Sequence, residues 1–153
     1  MGNKKTLVTG ANGQLGRALR VEFPNADFVT REYLDITSPD LSNACQWEDY
    51  DTVINAAAYT AVDQAETDQG RKDAWLANVT AVENLSKIAS ELDITLVNVS
   101  SDYVFDGSEK IHTETEDFAP LGVYGQTKAA GDAIVAYVAK HYTVRTSWVI
   151  GDG

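Results

Sequence analysis

The chain has 153 residues, 44% of them hydrophobic, enough for one domain with a substantial core. Acidic side chains outnumber basic ones 23 to 12, and a net charge of -11 makes nucleic acid and anionic membrane surfaces poor partners. The single cysteine, Cys45, excludes an internal disulfide or a multi-cysteine metal site, and with only His112 and His141 as imidazoles no metal is expected. Met1-Gly2-Asn3-Lys4-Lys5 runs straight into a strand-like segment, and no apolar run is long enough to span a bilayer. A soluble, cytoplasmic domain is the expectation.

In chain order, the first element is a short branched run, Thr6–Thr9, which reads as a strand. Gly10-Ala11-Asn12-Gly13-Gln14-Leu15-Gly16 follows and leads into an amphipathic helix over Gln14–Phe23. Glycines at every third position let the backbone turn sharply and approach a pyrophosphate, while the helix N-terminus aims N–H groups at it. Such a turn also occurs without a ligand, but its place as the first strand-to-helix turn favours the dinucleotide reading. Asp27–Thr30 reads as the second strand, ending in Arg31-Glu32. Arginine there suits the 2'-phosphate of NADPH, whereas an acid suits the ribose hydroxyls of NADH. The pair leans toward NADPH and leaves NADH open.

Pro39–Trp47 reads as a short helix, Thr52–Asn55 as the third strand and Asp73–Leu92 as a long amphipathic helix. Ile94–Ser100 is the fourth strand, Tyr124–Lys140 the last helix and Tyr142–Ile150 the last strand. Strands apolar on both faces, alternating with helices, predict an α/β fold. The expected architecture is a Rossmann-like, doubly wound parallel sheet of order 3-2-1-4-5, covered by helices on both sides. The chain stops directly after its last strand, so a dinucleotide-binding domain over residues 1–153, cut short before a substrate domain, is expected.

Tyr124 and Lys128 stand four residues apart at the start of the last helix, hence on one face. A neighbouring ammonium is expected to lower the pKa of the phenol, which would then hand its proton to a carbonyl oxygen as hydride reaches the carbon. Ser101 follows the fourth strand at its carboxyl end, where doubly wound sheets place ligands, and its hydroxyl can hold the same oxygen. Tyr-x-x-x-Lys alone is usually a surface pair. Glycine loop, strand-end serine and tyrosine–lysine helix in this order argue for an active site.

These residues resemble the extended short-chain dehydrogenase/reductase superfamily. GANGQLG at Gly10–Gly16, NAAAYTAVDQAE at Asn55–Glu66, SSDYVFDG at Ser100–Gly107, YGQTKAAGD at Tyr124–Asp132 and RTSWVIG at Arg145–Gly151 are similar, more narrowly, to the dTDP-4-dehydrorhamnose reductases. That resemblance implies a glycine loop in which Gly10, Asn12, Gly13, Gln14, Leu15 and Gly16 hold the pyrophosphate. It implies Asp35-Ile36 against the adenine and Ala56, Ala57 and Ala58 close under the cofactor. Ser101, Tyr124 and Lys128 become the catalytic set, with Lys128 also on the nicotinamide ribose and Asn78 ordering a relay water. Thr60, Val62, Tyr103 and Trp148 fall on the side of a dTDP-sugar substrate; for Val62 and Trp148, core packing is the competing reading.

The implied reaction is NAD(P)H-dependent reduction of the C4 ketone of dTDP-4-dehydro-L-rhamnose. An epimerase or dehydratase on the same scaffold is the alternative, although Ser101 is followed by Asp102-Tyr103 rather than the Asp-Glu pair that elimination needs. A dinucleotide-binding regulatory subunit is a third reading. Apolar surface near Trp148 and along the last strand predicts self-association into a homodimer.

Overall fold

The computed structural model describes residues 4–150. Met1–Asn3, Gly151 of the last motif and the chain end lie outside the described residues. The elements in order are β1 (Lys5–Thr9), α1 (Gln14–Glu22), β2 (Asp27–Val29), β3 (Tyr50–Asn55), α2 (Asp68–Trp75), α3 (Ala81–Leu92), β4 (Thr95–Ser101), α4 (Val123–Val135) and β5 (His141–Thr146). Every strand pair is parallel.

The Rossmann-like, doubly wound class is the one observed, but the order is β2-β1-β3-β4-β5 rather than 3-2-1-4-5. The reason lies in β3. Its Val53 and Ile54 are 2% and 7% exposed, so this strand needs cover on both faces and takes a central place beside β1. The residues of β2 are all half-buried, which suits the edge. Right-handed crossovers then put α1 on one face and α2, α3 and α4 on the other.

No helix forms over Pro39–Trp47; two short 3-10 turns, Leu41–Asn43 and Trp47–Asp49, take its place. Trp47 is buried, and its indole N–H donates to the Leu41 carbonyl at 2.9 Å. The segment wraps around that aromatic plug instead of presenting a helical stripe. The long helix expected over Asp73–Leu92 begins earlier, as α2, and passes through a π turn at Leu76–Thr80 into α3. The last strand ends at Thr146, short of Ile150, because Trp148 takes a left-handed backbone with φ of 48°.

Leu7, Val53 and Leu96 of the sheet pack with Trp47, Leu85, Ile88 and Val135 in the main core. The opposite face is covered only near its centre. Val8 is fully buried there, whereas Tyr142 and Val144 on β5 are 65% and 48% exposed. Cover on both faces therefore holds for the central strands and fails toward β5.

Candidate active site

The winding of the sheet reverses at β1 and β3, which opens a crevice at their carboxyl ends. Gly10 turns out of β1 with φ of 71°. A Cβ on it would stand 2.7 Å from the Ala56 carbonyl and the Ala57 nitrogen, so only glycine lets the loop lie on the end of β3. Gly13 is the N-cap of α1 and offers no side-chain cap. A helix N-terminus at this point turns its backbone N–H groups along the helix axis toward the crevice, the orientation that anion sites use.

Two clefts meet here, and Gly13, Ala56 and Ala58 line both. The smaller, about 280 Å³, is bordered by Gly10, Arg31, Asp35, Ile36 and Ala57. The larger, about 450 Å³, is bordered by Gln14, Leu15, Ser101, Tyr124 and Lys128. Thr60, Val62, Tyr103 and Trp148 stand on the walls of that same cleft, and Trp148 is 82% exposed, which removes core packing as its explanation.

Asn12, Gly16 and Asn78 lie outside both linings. The Asn12 carbonyl accepts from Arg17 Nη1 at 2.9 Å, and Gly16 is buried beneath the loop. Asn78 sits in the π turn with its amide fully engaged. Its Oδ1 accepts from the Tyr59 N–H at 2.9 Å, and its Nδ2 donates to the Tyr59 carbonyl at 3.1 Å and to Thr127 Oγ1 at 3.0 Å. That side chain ties the chain after β3 to α4.

In the smaller cleft, Arg31 Nε is 3.5 Å from Asp35 Oδ2. Asp35 Oδ1 accepts from the Thr37 hydroxyl at 2.7 Å and its backbone N–H at 3.0 Å. The Thr37 hydroxyl above all, then its N–H and the Arg31 charge, hold the Asp35 carboxyl below its ordinary range, with burial opposing. The acid on this wall is therefore Asp35. Glu32 is exposed and lies outside the lining.

In the larger cleft, Tyr124 is buried and its ring meets that of Tyr103 edge-on at 5.6 Å. Burial raises its pKa above that of an ordinary phenol; Asp102 and Tyr103 add to the rise, and a hydrogen bond with Ser101 opposes it. This corrects the expectation of a phenol made more acidic by lysine. The charge that acts on Tyr124 is the Asp102 carboxylate, and it acts in the opposite sense. Ser101 donates its hydroxyl proton to Asp102 Oδ1 and accepts from the Tyr103 N–H, both at 3.2 Å. Lys128 Nζ donates to the Val99 carbonyl at 2.7 Å. Burial brings its pKa down to about 8, with Asp132 pulling upward.

Two features bring α4 to this place. A Cβ on Gly125 would run into the Tyr103 carbonyl, so the absence of a side chain lets the first turn of α4 lie against the end of β4, with Tyr124 beside Ser101. Gly122 gives α4 no side-chain cap, and Glu66 Oε1, from a turn 57 residues earlier, accepts the Val123 N–H at 2.7 Å instead. A carboxylate there also suits the helix dipole. Glu66→Ala should lower unfolding stability by about 1–2 kcal/mol, read from urea denaturation; an unchanged midpoint would show that the cap contributes nothing. Glu66 and Asp102 both lie inside motifs visible in the sequence, but nothing local assigns them these contacts.

A sequence profile described as RmlD substrate binding domain matches residues 4–153. A curated relative named dTDP-4-dehydrorhamnose reductase from Aggregatibacter actinomycetemcomitans is 38% identical over 97% of this chain and 52% of its own. One of the same name from Mycobacterium tuberculosis is 34% identical over 99% of this chain and 52% of its own. The chain spans about half the length of the curated relatives it matches. Among solved structures, dTDP-4-dehydrorhamnose reductase from Clostridium acetobutylicum superposes with a TM-score of 0.86 at 38% identity, over 97% of this chain and 55% of that one. The Bacillus anthracis enzyme, solved in complex with NADP, gives 0.86 at 32% identity, over 99% of this chain and 56% of that one.

Proposed function

Because this chain belongs to the RmlD substrate binding domain family, we propose that it is the dinucleotide-binding part of a reductase of dTDP-4-dehydro-L-rhamnose, with dTDP-L-rhamnose as product. One observation carries the reading. Ser101, Tyr124 and Lys128 border one cleft, which continues past Gly13 into a second bordered by the glycine loop, Arg31 and Asp35. A dinucleotide has that two-lobed shape, with its pyrophosphate at the waist.

NADPH, when bound, supplies the hydride. Gly10, Gly13, Gln14, Leu15 and the first turn of α1 hold the pyrophosphate; Ile36 and Asp35 face the adenosine. Small side chains at Ala56, Ala57 and Ala58 let the ligand lie close over the end of β3. Lys128 keeps N–H donors beyond the one given to Val99 and directs them at the nicotinamide ribose. Tyr124 gives its proton to the C4 carbonyl oxygen, and Ser101 turns its hydroxyl from Asp102 to that oxygen. A phenol whose pKa is raised keeps its proton at neutral pH, as an acid for reduction must. Thr60, Val62, Tyr103 and Trp148 form the side of the cleft open to the nucleotide sugar. Reduction is favoured over elimination because Asp102 is followed by Tyr103, with no carboxylate pair.

Arg31 is the group that favours NADPH, a choice that the NADP complex of the Bacillus anthracis relative supports. Its ion pair with Asp35 moderates the preference, since the 2'-phosphate competes with that carboxylate. Arg31→Ala is expected to weaken NADPH about tenfold and leave NADH nearly unchanged in calorimetric titrations. Equal losses for both would remove Arg31 from the assignment.

The work is assigned to the cytoplasm, where the free thiol of Cys45 stays reduced; among the described residues, no helix is long and apolar enough to cross a membrane. Association of two chains is proposed along β5, where Tyr142 and Val144 are exposed.

A further inference from the structure

One turn below Lys128 on α4 lies Asp132, buried to 1% of its side-chain surface. Its Oδ2 accepts from Arg145 Nε of β5 at 3.0 Å, while its Oδ1 is buried with no hydrogen-bond partner. Arg145 is fixed in turn between aromatic faces, its guanidinium carbon 5.4 Å from the Phe105 ring centroid and 5.2 Å from that of Phe118. Neither residue lines the larger cleft. We propose that Asp132 is a positioning residue for Lys128: it keeps a negative charge one helical turn from the ammonium, while its bond to Arg145 locks that turn of α4 to β5. The role given to Lys128 rests on the dinucleotide reading above; the charge effect of Asp132 does not.

A buried ion pair is a weak source of stability, since apolar residues of similar volume would often serve as well. A carboxylate that leaves one oxygen unsatisfied is costlier still. Arg145 keeps Asp132 charged, and Lys128 is the buried cation one helical turn away that gains from that charge. Lys128 is 4% exposed and its hydrogen bond goes to a neutral carbonyl, so burial favours loss of the proton. The charged and titratable groups around this part of α4 are Tyr124 and Asp132 on the helix itself, Asp102 after β4, Arg145 on β5 and Glu66 capping the first turn. Of these, Asp132 is the one whose field raises the pKa of Lys128. Spacing of four places the two side chains on one face of α4, and Asp132 acts on the ammonium through its field rather than through a direct ion pair.

The test reads the charge of Lys128 directly, in the unliganded chain. Its side-chain carbon and nitrogen NMR shifts are followed from about pH 6 to about pH 10. The wild-type midpoint is expected at about 8. An ammonium is present below its midpoint, and removing Asp132 removes an attraction that favours it. D132N should therefore titrate lower, by about one pH unit, and D132E should stay with the wild type. NADPH affinity, followed by cofactor fluorescence, should fall as the pH rises through the Lys128 midpoint; in D132N that fall should begin at a lower pH than in the wild type, and the two should match in mildly acidic solution. A merely structural tie would weaken binding equally at every pH.

An unshifted Lys128 midpoint in D132N overturns the proposal. If that variant does not fold, D132N/R145Q is compared with R145Q, so that loss of the Arg145 charge is common to both: a lower midpoint in the double variant supports the proposal and an equal one overturns it. A shifted midpoint in a chain that binds no NADPH at any pH would leave the effect of Asp132 on Lys128 standing and end the dinucleotide reading instead.

Discussion

Replacing Tyr124 with Phe is expected to cut the turnover of the full-length reductase by about 10²–10⁴-fold and to leave its NADPH affinity nearly unchanged. The phenol is buried, it borders the same cleft as Ser101, and its pKa is raised, so its single task is to hold a proton at the carbonyl until hydride arrives. Phenylalanine fills the same space and keeps the edge contact with Tyr103, so folding should survive. Because the lost group is an acid already protonated at neutral pH, lowering the pH should not restore the rate. Lys128→Met is the useful contrast: it removes a group assigned to the ribose and should damage rate and NADPH binding together. A Tyr124→Phe enzyme with near-normal turnover would move the proton donor elsewhere, Tyr103 being a second phenol on the wall of the same cleft.

The second large effect is expected at Gly10. Gly10→Ala should abolish measurable NADPH binding and lower the melting temperature by about 5–10 °C. A left-handed backbone costs a non-glycine residue about 1–2 kcal/mol, and here the added methyl also meets the backbone of Ala56 and Ala57 at 2.7 Å. Relief requires the loop to rise from the end of β3, and Ala56 borders both clefts, so both change shape at once. Gly107 supplies the control. Its φ is 75°, but a Cβ there meets nothing within 4 Å. Gly107→Ala should therefore show only the backbone strain, with NADPH binding intact. Calorimetric titration and thermal melts on both variants decide the matter; similar binding by the two would show that contact with β3 is not what shapes the site.

The features legible in the sequence are those that depend on near neighbours. Glycines at every third position after a branched run announce the turn at Gly10–Gly16 because the φ of 71° and the helix start are both local events. The same holds for Tyr124 and Lys128, which share a face because a helix turns every 3.6 residues. Alternation of short strands and long helices likewise implies a parallel, doubly wound sheet before any contact is known.

Tertiary structure decided what rests on distant partners. The strand order depends on which side of β1 the chain after β2 returns to; the apolar residues of β3 ask for cover on both faces, and the packing of Trp47 and the neighbouring elements decides where that cover is found. The Pro39–Trp47 segment has helical spacing, yet the buried indole prevails over it. Spacing alone made Lys128 the dominant influence on the Tyr124 phenol; the fold surrounds that phenol with apolar contacts and the Asp102 carboxylate, and the direction of the shift reverses. Glu66 capping α4 and Arg145 meeting Asp132 join residues 57 and 13 positions apart, which no window of sequence connects. Turns, helix faces and element types follow from bonds the chain makes with itself over a few residues; protonation, strand order and the fit between elements follow from charges and volumes that only folding brings together.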